Sequence, residues 1–185
     1  MRRLHIVTRG ALEAFVLDAL LRPHLGDAVR VRFSNDGGAG PVSWARSYLV
    51  DGLRVALVLN TDTLDFRKIR TRMARMEYMM GMAAWRDRWK IVLMRPEIEI
   101  LFFQNPEVLR QLTGRHATPE EMERAQAHPQ EVLAEMLGVP PNELLPTLRE
   151  RLAAVDLRPL GSLPQIRALL DFHARPPPEA WLISP

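Results

Sequence analysis

Three hydrophobic runs in this chain each end in polar or acidic residues. They are Ile6-Val-Thr-Arg-Gly-Ala-Leu-Glu13, Val55-Ala-Leu-Val-Leu-Asn-Thr-Asp62 and Ile91-Val-Leu-Met-Arg-Pro-Glu-Ile-Glu99. A run without alternation has both faces buried, which suits an inner strand of a parallel sheet covered by helices. Its polar tail then falls at the carboxyl edge of the sheet, where open α/β folds bind ligands. The segments between the runs fit this reading. Leu12, Phe15, Val16, Ala19 and Leu20 recur at helical spacing over residues 11–25. Ile69, Met73, Met76, Met80 and Ala84 mark the inner stripe of a second helix over 65–86. Residues 29–33 read as a further strand, and the alternation of Arg30 and Arg32 places it near an edge. Residues 35–40, Asn-Asp-Gly-Gly-Ala-Gly, form a loop, and Pro41 suits the first turn of a short helix. The order β-α-β-α-β-α-β predicts an α/β fold with a mostly parallel four-stranded sheet and right-handed crossovers.

After Phe103 the texture changes, and leucine-rich helical pieces alternate with prolines. The expected division is an α/β core over residues 1–105 and a helical C-terminal extension over 106–185, packed on that core. Thr118-Pro-Glu-Glu121 is a helix start, with a threonine cap, proline at the first position and acids at the positive end of the helix dipole. Asn142 is placed to cap a helix reaching residue 154. A last helix is expected over 162–174, before the three prolines at 176–178.

Cysteine is absent, which excludes disulfides and thiolate metal sites and fits a reducing, cytoplasmic setting. No secretory leader is legible, and no apolar run approaches the ~20 residues a membrane helix needs, so no membrane partner is expected. The net charge of +3 is unevenly spread. Arg67, Lys68, Arg70, Arg72 and Arg75 crowd one helix, while Glu120, Glu121, Glu123, Glu131 and Glu135 crowd a later region. The basic face, with Lys68, Arg72 and Arg75 together, is a candidate for phosphate or nucleic-acid binding; the alternative is a solvated face.

The strand ends carry the candidate chemistry. Magnesium takes oxygen ligands, usually one or two carboxylates with waters and substrate phosphate. Glu13, Asp62, Asp65, Glu97 and Glu99 supply enough carboxylates for one ion and potentially two. Each has a plainer reading as well. Glu13 is a first-turn acid and Asp65 a helix cap. Glu97 and Glu99 share a face if the strand continues past Pro96. Two neighbours are chemically at odds with a metal site: Arg9 adds a permanent cation and Asn60 brings no charge.

These residues resemble the Toprim fold, the metal-binding domain of topoisomerases, primases and OLD-type nucleases, and above all its small stand-alone members. The usual pattern follows the first strand with Glu-Gly and a further acid. Here Gly10 and Glu13 match, and Arg9 stands in the place of the glutamate. The third strand should end Asp-x-Asp, and here it ends Asn60-Thr61-Asp62. Pro96-Glu-Ile-Glu99 before a hydrophobic segment matches the end of the fourth strand in the stand-alone proteins. The resemblance implies a Mg2+ held by the Asp-x-Asp pair, and a first-strand acid that acts in acid–base chemistry or binds metal. Relative to two carboxylates, Arg9 and Asn60 raise the local charge by about three units, which disfavours a divalent ion.

The resulting expectation is a Toprim-like, OLD-like protein with a degenerate acidic site. In it Arg9 replaces the metal by pairing with Asp62, Glu97 or Glu99, within about 4 Å. Catalysis would be impaired, and the chain would act in nucleic-acid or phage-defence processes through phosphate binding at Arg9, Lys68, Arg72 and Arg75 or through a partner. The resemblance implies an ATPase among such partners. One alternative is an active Mg2+-dependent nuclease using Glu13, Asp62, Asp65, Glu97 and Glu99, with Glu13 in the catalytic role. The other is a protein-interaction module that binds no nucleic acid. The glycine loop before Pro41 lacks the Gly-Lys-Ser/Thr ending of a P-loop, and the five histidines have no metal-ligand spacing.

Overall fold

Four strands, β1 (Leu4–Thr8), β2 (Val29–Phe33), β3 (Val55–Asn60) and β4 (Trp89–Met94), form one sheet in the order β2-β1-β3-β4. In the computed structural model, residues 3–34 and 40–175 are described. Every pairing is parallel, with Ile6 opposite both Val31 and Ala56, and Leu57 opposite Ile91. β3 is buried at all six positions, as its unbroken apolar run demands. β2 lies at an edge, as its alternating arginines predict. The protein is therefore α/β with an all-parallel sheet, of the Rossmann- and Toprim-like class.

Helices cover both faces. On one, α1 (Ala11–Leu25) buries Val16, Leu17, Leu20 and Leu21 against Leu4 and Ile6. On the other, α2 (Gly40–Val50) and α3 (Phe66–Gly81) bury Ala45, Leu49, Met76 and Met80 against Val7, Leu57 and Ile91. The remaining helices are α4 (Ile100–Phe103), α5 (Pro106–Thr113), α6 (Pro119–Ala125), α7 (Pro129–Leu137), α8 (Leu144–Arg151) and α9 (Pro164–Ala174). They enlarge the α1 side. One hydrophobic cluster runs from Leu4 and Ile6 through Phe102, Leu109, Leu133 and Leu148 to Leu169 and Phe172. Arg54, at the start of β3, ties the end of α9 to the sheet. It donates to the Phe172 carbonyl at 2.7 Å and the Arg175 carbonyl at 2.8 Å, and its guanidinium lies 4.4 Å from the centre of the Phe172 ring.

Several boundaries differ from the sequence reading. α3 ends at Gly81, so Ala84 lies outside it. The Ala84 carbonyl instead accepts the Trp89 indole N–H, which turns the chain into β4. The helix expected from Asn142 to 154 is split: α8 is flanked by 3-10 turns at Pro141–Glu143 and Leu152–Ala154, and Asn142 caps nothing. Thr118 forms a full capping box with Glu121. Of the glycine loop, residues 35–39 lie outside the described residues, and Gly40 opens α2. The proline tail at 176–178 also lies outside them.

Candidate functional site

The carboxyl edge gathers the tails of β1, β3 and β4. Beyond β1 the chain bends at Arg9 and Gly10, and α1 starts at Ala11. The carboxylate of Glu13 folds back over Gly10, into space that a Cβ at that position would take. Folded back, Glu13 accepts a hydrogen bond from the Asn60 side-chain amide at 3.3 Å.

At the end of β3, Asp62 takes a left-handed backbone conformation with φ 54°, which aspartate tolerates better than most residues. The amides of Thr61 and Asp62 both donate to the Pro96 carbonyl, at 2.9 and 3.1 Å, so the ends of β3 and β4 are stitched together. The Asp62 carboxylate meets the Arg9 guanidinium in a two-pronged pair, with distances of 2.9 and 3.1 Å. Arg72 approaches the same carboxylate at 3.9 Å and donates to the Asn60 and Thr61 carbonyls at 3.1 and 3.4 Å. Arg9 and Asp62 side chains remain 42% and 41% exposed, so the pair is half-open to solvent. The hydrogen bond to Asp62 makes the Arg9 guanidinium still harder to deprotonate.

Glu97 and Glu99 do not share a strand face. β4 stops at Met94, and the turn through Pro96 gives the two acids separate surroundings. Glu97 is partly buried and accepts the backbone N–H of Gln130 at 3.2 Å. Burial, more than the nearby Asp62 and Glu131 charges, raises its pKa, against the pull of the Gln130 amide and His128. Glu99 precedes α4 and is only 1% exposed. Burial pushes its pKa up to about 8, and the negative charges of Glu97 and Glu13 add to the shift. Glu99 Oε2, Asn60 Oδ1 and Thr8 Oγ1 are buried with no hydrogen-bond partner among the described residues.

The other predicted site residues fall elsewhere. Asp65 caps α3, accepting from the backbone amides of Arg67 and Lys68. Lys68 and Arg75 lie exposed on α3, whereas Arg72 is drawn to the strand end. The carboxylates around Asp62 have other partners. Arg9 occupies both of its oxygens, Asp65 is committed to its cap, and among the described residues no three His, Asp or Glu side chains converge as a ligand set. Sequence reasoning missed the anchoring of Arg72 and the orphaned Thr8 hydroxyl. A guanidinium about two helical turns past the capping Asp65 is the only trace the former leaves in the sequence.

No protein-family model matches the chain, and neither does any curated protein sequence. A solved structure does. The chain has the fold of the C-terminal region of the Burkholderia pseudomallei OLD protein. The match has a TM-score of 0.59 at 15% identity and covers 93% of this chain and 96% of that one. The likeness therefore takes in the helical C-terminal part as well as the sheet. Among the described residues no helix is long and apolar enough to cross a membrane.

Proposed function

We propose that this is an OLD-like, Toprim-type protein whose carboxyl edge is closed by an internal cation, Arg9, in place of a divalent metal. The two-pronged Arg9–Asp62 pair carries this reading. A guanidinium is planar and permanently charged, and it matches both oxygens of a carboxylate. With Arg9 in place, each Asp62 oxygen already faces a guanidinium N–H, and the adjacent positive charge disfavours magnesium there. Asn60 has spent its amide N–H on Glu13, and Glu99 is held largely protonated at neutral pH by burial. Nuclease chemistry of the OLD type needs carboxylates that are ionised and shared around metal, so catalysis at this edge is impaired. The protein then works in nucleic-acid-related or phage-defence processes by binding. The exposed Lys68 and Arg75 of α3, with Arg72 at its strand end, offer a cationic flank to a phosphate backbone or to an acidic surface of a partner such as an ATPase.

Calorimetric titration with Mg2+ and Mn2+ tests the reading. The wild type should show no tight binding, and the double variant Arg9→Glu, Asn60→Asp should gain it. Tight binding by the wild type, together with metal-dependent nucleic-acid cleavage that Asp62→Ala abolishes, would overturn the proposal. The orphaned oxygens of Thr8, Asn60 and Glu99 support a second reading, in which a cation sits on the buried side of the same edge beside Glu13. Wild-type metal binding that survives Asp62→Ala and is lost in Glu99→Gln would select it.

A further inference from the structure

The open edge of the sheet carries a second cationic feature, away from Asp62. β2 pairs with β1 so that His5 faces Arg30 and Val7 faces Arg32. Arg30 and Arg32 therefore project on the same side of the sheet as Val7, which packs beneath α2 and α3. α2 packs over β1 and β3, and among the described residues Arg30 and Arg32 of β2 stay exposed on that side. Arg3, Arg30 and Arg32 are all exposed, and none forms an ion pair among the described residues. With His5 and Tyr48 they line a groove of about 430 Å³. The His5 and Tyr48 rings stand 5.7 Å apart at a tilt of 54°. An adjoining hollow shares Arg3 and His5 and adds Asp27, whose carboxylate is already within 3.8 Å of Arg22.

Three guanidiniums in one groove, without an ion pair among the described residues, repel each other, and an oxyanion between them relieves the repulsion. Arginine forks bind phosphate oxygens in pairs, more strongly than neutral donors do. The volume falls within the ~300–1,000 Å³ of small-molecule sites. Aromatic faces beside such cations take bases by stacking, with little regard to sequence. The field is already felt by His5, whose pKa is lowered by burial first and then by Arg3, Arg30 and Arg32.

We propose that this groove binds a nucleotide phosphate, with the arginines on the oxyanion and the His5 and Tyr48 rings beside the base. The phosphate comes either from a free nucleotide or from a single strand laid along β2. The site stands apart from Arg9 and Asp62, and the proposal does not depend on how they are read.

The test uses the full chain at low salt with two labelled probes, a nucleoside triphosphate without added metal and a short single-stranded oligonucleotide. At least one probe should bind the wild type. Arg30→Gln with Arg32→Gln should weaken binding by on the order of 10- to 100-fold, because two charge-assisted contacts are lost. Both residues are exposed on an edge strand, so the variant should fold, and its melting curve checks this. A control pair, Arg158→Gln with Arg167→Gln, removes the same charge from the side of the sheet packed by α1 and α9, and should leave binding unchanged. If the strand is the ligand, the salt slope of the double variant should shrink by about 1.4 for two lost contacts, and triphosphate should fail to compete. If the free nucleotide is the ligand, the oligonucleotide should fail to compete. In either case the bound phosphate should raise the His5 pKa in an NMR titration of the wild type, in the field of Arg3, Arg30, Arg32, Tyr48 and the more distant Asp27. Three results would each overturn the proposal: neither probe binds, the β2 variant binds as the wild type does, or the control pair weakens binding equally.

Discussion

Asp62 at the end of β3 and Glu99 beyond the end of β4 belong to the same acidic cluster in the sequence, yet they meet opposite fates. Asp62 is half-exposed and held by two guanidiniums. Glu99 is sealed from solvent, keeps one oxygen without a partner among the described residues and has its pKa raised to about 8. The difference teaches that a carboxylate at a strand end is defined by what solvates it. Two guanidiniums hold Asp62 at the rim. Burial makes Glu99 an acid that still carries its proton near neutrality, and a metal site would need both ionised together.

The largest effect that should separate the two ends is the pH dependence of stability. Glu99 holds its proton more tightly in the folded protein than in the unfolded chain. Its contribution is therefore full below about pH 4.5 and is lost as the pH rises to about 8. Over that window the wild type should lose stability, by up to on the order of 5 kcal/mol from this group. Glu99→Gln should remove most of the slope, leaving the smaller contribution of Glu97, whose pKa is also raised. Denaturant melts at several pH values read this out, and a flat wild-type profile would erase the contrast.

Asp65→Ala should come next, costing about 1 kcal/mol through the lost cap of α3. It should not alter the response of the Arg9→Glu, Asn60→Asp variant to magnesium; a lost response would make Asp65 a ligand after all. Arg9→Ala should have the smallest effect on stability, at most about 1 kcal/mol, because the pair is half-exposed and Arg72 remains nearby. That loss should shrink with added salt. A cost several times larger would mean that the β3 end is not solvent-screened and that the two ends are more alike than their exposure suggests.

Much of the fold was legible because buried parallel strands leave unbroken apolar runs. β3 and the alternation in β2 placed a central strand and an edge strand directly. The α3 boundary was not legible, since the apolar spacing runs on to Ala84, whose carbonyl instead takes the Trp89 indole N–H across the turn into β4. At the site, the chemistry of Arg9 and Asn60 could be read from residue type alone. The fate of Glu99 could not. Pro96 marks the end of the strand, but residue spacing does not show that the turn there carries Glu99 into the interior. Sequence spacing also could not show that Arg3, His5 and Tyr48 would gather around Arg30 and Arg32, because strand pairing and an adjacent helix bring them together.

The shared carbonyl of Pro96 has a mechanical consequence. Because the amides of both Thr61 and Asp62 hang on it, whatever pulls on Asp62 also pulls on the turn that carries Glu97, and through Glu97 on the first turn of α7. The Arg9 grip at the rim is thus geared to the helical C-terminal part. Rim and far side share one continuous run of hydrogen bonds, from Arg9 through Asp62 and Pro96 to Glu97 and Gln130.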